Sequence, residues 1–109
     1  MKILKLKNYK RGWLIGDFSP AIVHTKKIEF AVKTYKTGDA EEAHYHKKAQ
    51  EISVVVSGKF KMNGKKLVPG DIVVLRKGEI ANFKCLKSGA NVIIKIPSVK
   101  GDKYVVTKK

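Results

Sequence analysis

Short runs of β-branched and aromatic residues, each closed by glycine, proline or asparagine, dominate this chain and leave little room for helices. Residues 28–36, 52–56, 72–75, 80–86 and 92–96 read as strands. Thr37-Gly38-Asp39, Ser57-Gly58-Lys59, Pro69-Gly70-Asp71, Lys77-Gly78-Glu79 and Ser88-Gly89-Ala90-Asn91 read as turns, as does Phe18-Ser19-Pro20. Asn63-Gly64 is the strongest hairpin signal. Residues 1–9 read as an N-terminal strand or arm, and the tail is expected to add an edge strand at Tyr104–Thr107 or to stay loose. Turns roughly every 8–12 residues, with no convincing amphipathic helix, indicate an all-β sandwich or barrel.

A chain of 109 residues, 43% hydrophobic, has room for one domain and one core. We place that core at about residues 26–97, with an arm over 1–25 and a tail over 98–109. No apolar run approaches the roughly 20 residues of a membrane helix. The N-terminal MKILKLKNYKRGW is basic and lacks the apolar block of a signal peptide. Cys85, the single cysteine, has no partner for an internal disulfide and reads as a small buried hydrophobe. The expectation is a cytoplasmic protein without a membrane segment.

The net charge of +15 raises the question of a polyanionic partner. The basic residues are dispersed lysines, with Arg11 and Arg76 the only arginines. Base reading and bidentate phosphate clamps favour arginine. Nucleic acid is therefore not the expected partner. A lysine-rich surface explains most of the charge, and a small anionic ligand would suit the rest.

Two of the three histidines, His44 and His46, sit one residue apart. On a strand, such residues face the same way and can converge on one point. Glu51 opens the next apolar run and could present its carboxylate from a neighbouring strand. Two imidazoles and a carboxylate suit a divalent ion such as Zn, Fe(II), Mn, Ni or Cu.

The stretch from Gly38 to Gly58 resembles the first signature motif of the cupin superfamily: a glycine, five residues, H-x-H, three or four residues, glutamate, six residues, glycine. Gly38, His44, His46, Glu51 and Gly58 fill every fixed position at the right spacing. The resemblance implies a cupin-type double-stranded β-helix, a jelly-roll barrel, with His44, His46 and Glu51 as metal ligands. It also implies a homodimer paired through the outer face or edges of the barrel. The superfamily's second motif is degenerate here. Gly70 and Gly78 match, but Arg76 replaces the proline, Ala81 the ligand histidine and Cys85 the asparagine. The hairpin is expected to persist without its fourth ligand. Three ligands plus water still form a workable open site, although some cupins have lost the metal altogether.

Other residues are open to two readings. Lys33 and Tyr35 share one face of their strand, which either meets solvent or lines the pocket and supplies a proton donor. Lys95 lies within an apolar run and is either on the outer face or directed at an anionic substrate. Trp13 reads as a packing anchor or subunit contact, Tyr45 as packing or an interface contact, His24 as surface, and Glu41 and Glu42 as a solvated turn.

Three functions fit. The first is a divalent-metal cupin acting on a small, anionic or sugar-like molecule. The second is a metal-free isomerase or epimerase of nucleotide-sugars, with His44 or His46 as acid/base and Glu51 orienting it. Arg11-Gly12-Trp13-Leu14-Ile15-Gly16 is loosely similar to sugar-nucleotide ketoisomerases of that group. The third is a non-enzymatic ligand-binding module with a decayed metal site.

Overall fold

A computed structural model describes residues 1–106. Its strands are β1 (Trp13–Gly16), β2 (Val23–His24), β3 (Glu29–Tyr35), β4 (Ala40–Tyr45), β5 (Gln50–Met62), β6 (Lys65–Leu67), β7 (Ile72–Leu75), β8 (Ala81–Ile96) and β9 (Tyr104–Val105). Neither short helical turn, Leu6–Asn8 or Lys10–Gly12, reaches a full α-helix. Residues 1–9 therefore do not form the strand their alternation allowed. Ile3, Leu4 and Leu6 stay exposed among lysines, without a neighbouring strand to cover them.

The 16-residue β8 is the spine of the fold. Its C-terminal half lies between β3 and β5, and its N-terminal half between β4 and the far end of β5. β5 also pairs with β6 and β7. Asn63 and Gly64, both at positive φ, make the expected β5–β6 hairpin.

Two expected turns are not turns. Ser57-Gly58-Lys59 lies inside β5 and Ser88–Asn91 inside β8, where the two strands cross with repeated register shifts. A Cβ on Gly89 would fall 2.0 Å from the Ser57 carbonyl oxygen, and one on Gly58 2.5 Å from the Lys87 carbonyl oxygen. Here glycine permits close backbone approach through a bulge. The bend lets two long strands serve both walls of the barrel.

Period-two alternation then separates two chemistries. The inner positions form paired rows: Glu29–Lys95–Glu51–Leu75, then Ala31–Ile93–Ser53–Val73, then Lys33–Asn91–Val55. One end of the interior is closed by the buried cluster of Val55, Phe60, Phe83 and Cys85, against which Tyr35, Met62 and Leu67 pack. Fully burying such a side chain is worth about 1.5–3 kcal/mol. The other end is polar. The outer positions form the rows Phe30–Ile94–Ile52–Val74 and Val32–Val92–Val54–Ile72, free of charge.

Beyond β8 the chain returns across the barrel. β9 pairs with β4, setting His44 opposite Val105 and Tyr45 opposite Tyr104. The tyrosine rings stack with centroids 5.5 Å apart. The expected edge strand thus covers Tyr104–Val105, while Thr107 lies outside the described residues. No helix among the described residues is long and apolar enough to cross a membrane.

Candidate functional site

The polar end of the barrel opens into a cavity of about 460 Å³. Its wall includes His44, His46, Glu51, Lys33, Tyr35 and Lys95, every residue singled out as a candidate for metal or acid/base chemistry.

His44 is the buried, next-to-last residue of β4, and His46 follows just after the strand. Their rings meet edge to face with centroids 5.5 Å apart. The His44 Nδ1–H donates to the Glu42 carbonyl at 2.8 Å, which leaves Nε2 as the lone-pair nitrogen. A histidine ligand is typically oriented in this way. The Gly78 N–H donates to the His46 carbonyl at 2.7 Å, so the second-motif turn, despite its lost ligand, still holds the first motif in place.

His46 is 6% exposed, and its Nε2 is buried without a hydrogen-bond partner. Burial, helped by the charge of Lys95, lowers its pKa to about 4. The imidazole is therefore neutral at pH 7. Glu51, 9% exposed on β5, has its pKa raised by burial. A neutral imidazole with an orphaned buried nitrogen, a second imidazole of fixed tautomer and a buried carboxyl are donors that fit a divalent transition metal. Among the described residues, however, no three His, Cys, Asp or Glu side chains already stand in metal-holding positions. The donors line one cavity, His44 and Glu51 from separate strands, and would have to close on an ion. Ala81, in the fourth ligand's place, lies opposite His44 across β4 and β8 and is buried.

Lys33 and Lys95 both turn inward. Their ammonium groups lie over the Trp13 ring, 5.3 and 5.0 Å from its centroid. Trp13 is thus a cavity-wall residue that holds two cations, beyond the anchoring expected of it. Burial lowers the Lys33 pKa. Tyr35 packs between Phe60 and Phe83, and burial raises its pKa, so the phenol keeps its proton.

Glu41 departs from the solvated turn expected for it. It lies on β4 at the cavity wall and accepts a hydrogen bond from the Lys103 ammonium at 3.0 Å. Burial alone would raise its pKa, but Lys103 and Lys33 outweigh that and lower it. Of the remaining candidates, His24 is exposed and bonds Asp17 at 2.8 Å, and Cys85 is fully buried.

Two residues escaped the sequence reading. Asp102, 5% exposed, accepts backbone hydrogen bonds from Lys47, Lys48 and Ala49 at 3.1, 3.1 and 2.9 Å. It thereby ties the C-terminal segment to the loop between His46 and Glu51. Asn91 lines the cavity opposite Lys33. Asp102 carried no local signal, and Asn91 was taken for a turn residue.

No protein-family model and no curated protein matches the chain. Solved structures do. The chain is similar to KdgF from Halomonas sp., with 24% identity over 72% of this chain and 76% of that one and a TM-score of 0.64. It is similar to an RmlC-like cupin from Shewanella frigidimarina, with 21% identity over 70% and 71% of the two chains and a TM-score of 0.65. An uncharacterised protein with a double-stranded β-helix domain from Klebsiella pneumoniae has 19% identity over 98% of this chain and 93% of that one, with a TM-score of 0.72. At such identities the likeness carries the fold, which is the cupin-type double-stranded β-helix.

Proposed function

We propose that this small cupin-fold protein binds a divalent transition metal through His44, His46 and Glu51 and acts on a small anionic molecule held in the same cavity. The observation that carries the reading is the His46 Nε2 atom, buried and unbonded in a residue that lines the same cavity as His44 and Glu51. Buried polar atoms in native proteins nearly always have partners, and a metal is a partner that this donor set suits.

A metal held there would supply a Lewis acid that polarises a substrate oxygen. The rest of the work falls to the chain. Asp102 fixes the loop after His46, and the Gly78 N–H fixes the His46 carbonyl. Lys33 and Lys95 give the cavity a positive wall that attracts an anion. Tyr35, whose proton burial holds in place, adds a hydrogen-bonding hydroxyl to the lining.

The runner-up is metal-free acid–base chemistry on a nucleotide-sugar. It draws support from the donors' standing apart among the described residues and from the raised pKa of Glu51. A histidine with a pKa of about 4 is a weak general base at neutral pH but an available metal ligand. That difference favours the metal.

Elemental analysis of untagged wild-type protein and His46→Ala, as purified and after incubation with Zn, Mn, Fe(II) and Ni, tests the proposal. About one equivalent of metal per chain in wild type, lost in the variant, is expected. Absence of metal from wild type after every incubation would sink it and leave the metal-free isomerase and the non-enzymatic binding module.

A second copy of the chain is the proposed partner. The outer face of β3, β8, β5 and β7 is apolar, with Ile72 64% and Val74 48% exposed. In a chain of net charge +15, two copies repel wherever lysines face each other. This charge-free sheet face is where they can meet.

A further inference from the structure

We propose that Lys33 and Lys95, whose ammonium groups lie over Trp13, and Asn91, opposite Lys33, form a subsite for a small hydroxylated anion, with its carboxylate or phosphate on the two ammonium groups and a neighbouring hydroxyl on the Asn91 amide. This rests on the reading that the cavity takes a small molecule, and it names the chemistry of that molecule.

The strand register builds the subsite. Lys95 and Lys33 occupy inner positions on adjacent strands, separated by the row that contains Ala31 and Ile93. Trp13 pairs with Ala31 in that intervening row. The small alanine leaves room for the indole, and both ammonium groups settle over its ring. The ring face attracts a cation but does not satisfy its N–H donors in full. Among the described residues, neither lysine has a carboxylate within ion-pair distance. Glu29 and Glu51 stand opposite Lys95 in the sheet and Glu41 lines the same cavity, but none closes to a direct ion pair with either lysine, so both ammonium groups keep donors that an incoming anion can take.

The second half is independent of charge. Asn91 is 3% exposed, and its Oδ1 is buried without a hydrogen-bond partner. It stands directly opposite Lys33 across β3 and β8. Oδ1 is an acceptor, so a simple anion on the lysines would leave it unmatched. A ligand with a hydroxyl beside its anionic group satisfies both. The cavity, at about 460 Å³, has room for a six-carbon acid or sugar phosphate.

The chain's single tryptophan lies at the subsite, so its fluorescence reports occupancy. Wild type is titrated with gluconate, glucose 6-phosphate, sorbitol and hexanoate. Sorbitol lacks the charge and hexanoate lacks the hydroxyls. Saturable binding of gluconate or glucose 6-phosphate, about tenfold or more tighter than either control, is expected, and whichever binds distinguishes a carboxylate from a phosphate. The Lys33→Met/Lys95→Met double variant should weaken that ligand by about tenfold or more, and Asn91→Leu should bring it to the level of hexanoate. Thermal melts establish that the variants fold, and the wild-type comparison needs no variant. A flat response to both hydroxylated anions, equal binding of hexanoate, or full affinity in the folded double variant overturns the proposal. The titrations are repeated after chelator treatment. Discrimination that survives belongs to the subsite, whereas discrimination that vanishes with the metal overturns it. Metal content measured on the same samples reports on the metal reading separately.

Discussion

His44 and Ala81 face each other across β4 and β8, with the alanine methyl buried against the cavity. Directly opposed residues in an antiparallel pair have Cβ atoms about 4.5–5.5 Å apart. A side chain at 81 therefore starts beside the proposed donors, and the missing fourth ligand is an absence at a position that still exists. Ala81→His should raise metal affinity by about tenfold or more. Competition against a chromophoric chelator measures it, and unchanged or weaker binding in a folded variant would show that position 81 does not address the site.

Asp102 caps three consecutive N–H groups that would otherwise be left without partners. Asp102→Ala should destabilise the fold by about 3 kcal/mol, from the loss of charge-assisted bonds and the exposure of orphaned donors. Urea denaturation of the two proteins under identical conditions checks this. A change below about 0.5 kcal/mol would assign the loop's position to other contacts.

The same carboxylate predicts a pH dependence. Burial would raise its pKa, but the N–H groups of Lys48, Ala49 and Lys47 outweigh it and hold the value below 3.8. The folded state therefore binds fewer protons than the unfolded state in this range. The Asp102 contribution should be complete above the ordinary pKa and be lost as pH falls through the depressed one. Denaturation midpoints of wild type and Asp102→Asn should be furthest apart above the ordinary carboxylate range, at about pH 5 and higher, and draw together as pH falls through the depressed pKa. A constant gap across that window would contradict the assignment.

Gly89 marks a contact between backbones, where a methyl would lie 2.0 Å from the Ser57 carbonyl oxygen. Gly89→Ala should cost about 2 kcal/mol or more, because backbone cannot yield as a side-chain tip does. Gly64→Ala, with nothing within 4 Å of the added carbon, isolates the cost of positive φ alone. Calorimetric melts of both rank the effects, and equal losses would reduce Gly89 to a conformational role.

If a second copy covers the outer sheet, Val74→Lys places a charge in the middle of that contact. Light scattering should then report a dimer for wild type and a monomer for the variant at the same concentration. A wild-type monomer at high concentration would remove the proposed partner.

The parts of the site that share a short segment were legible. His44, His46 and Glu51 are related by strand periodicity and by spacing alone. The near-continuous apolar run 52–56 likewise read as a strand, and it lies within β5. The turn assignments show the limit of such reading. Asn63-Gly64 and Ser88-Gly89 carry the same punctuation, yet one reverses the chain and the other lets two strands touch. A glycine signals only that a side chain is unwelcome, and the reason lies in the neighbouring strand.

By itself, then, the sequence determined the all-β character and picked out His44, His46 and Glu51, which line one cavity, because these follow from local alternation and from residues close together along the chain. Only the tertiary structure decided which way the lysines face, that Trp13 lies beneath both, that Asn91 is left unbonded among them, and that Asp102 fastens a loop 54 residues away. Those facts depend on long-range register. Shifting β8 by one residue would turn Asn91 and Lys95 to the outer face, and shifting β3 would turn Lys33, each taking charge or hydrogen-bonding capacity out of the cavity.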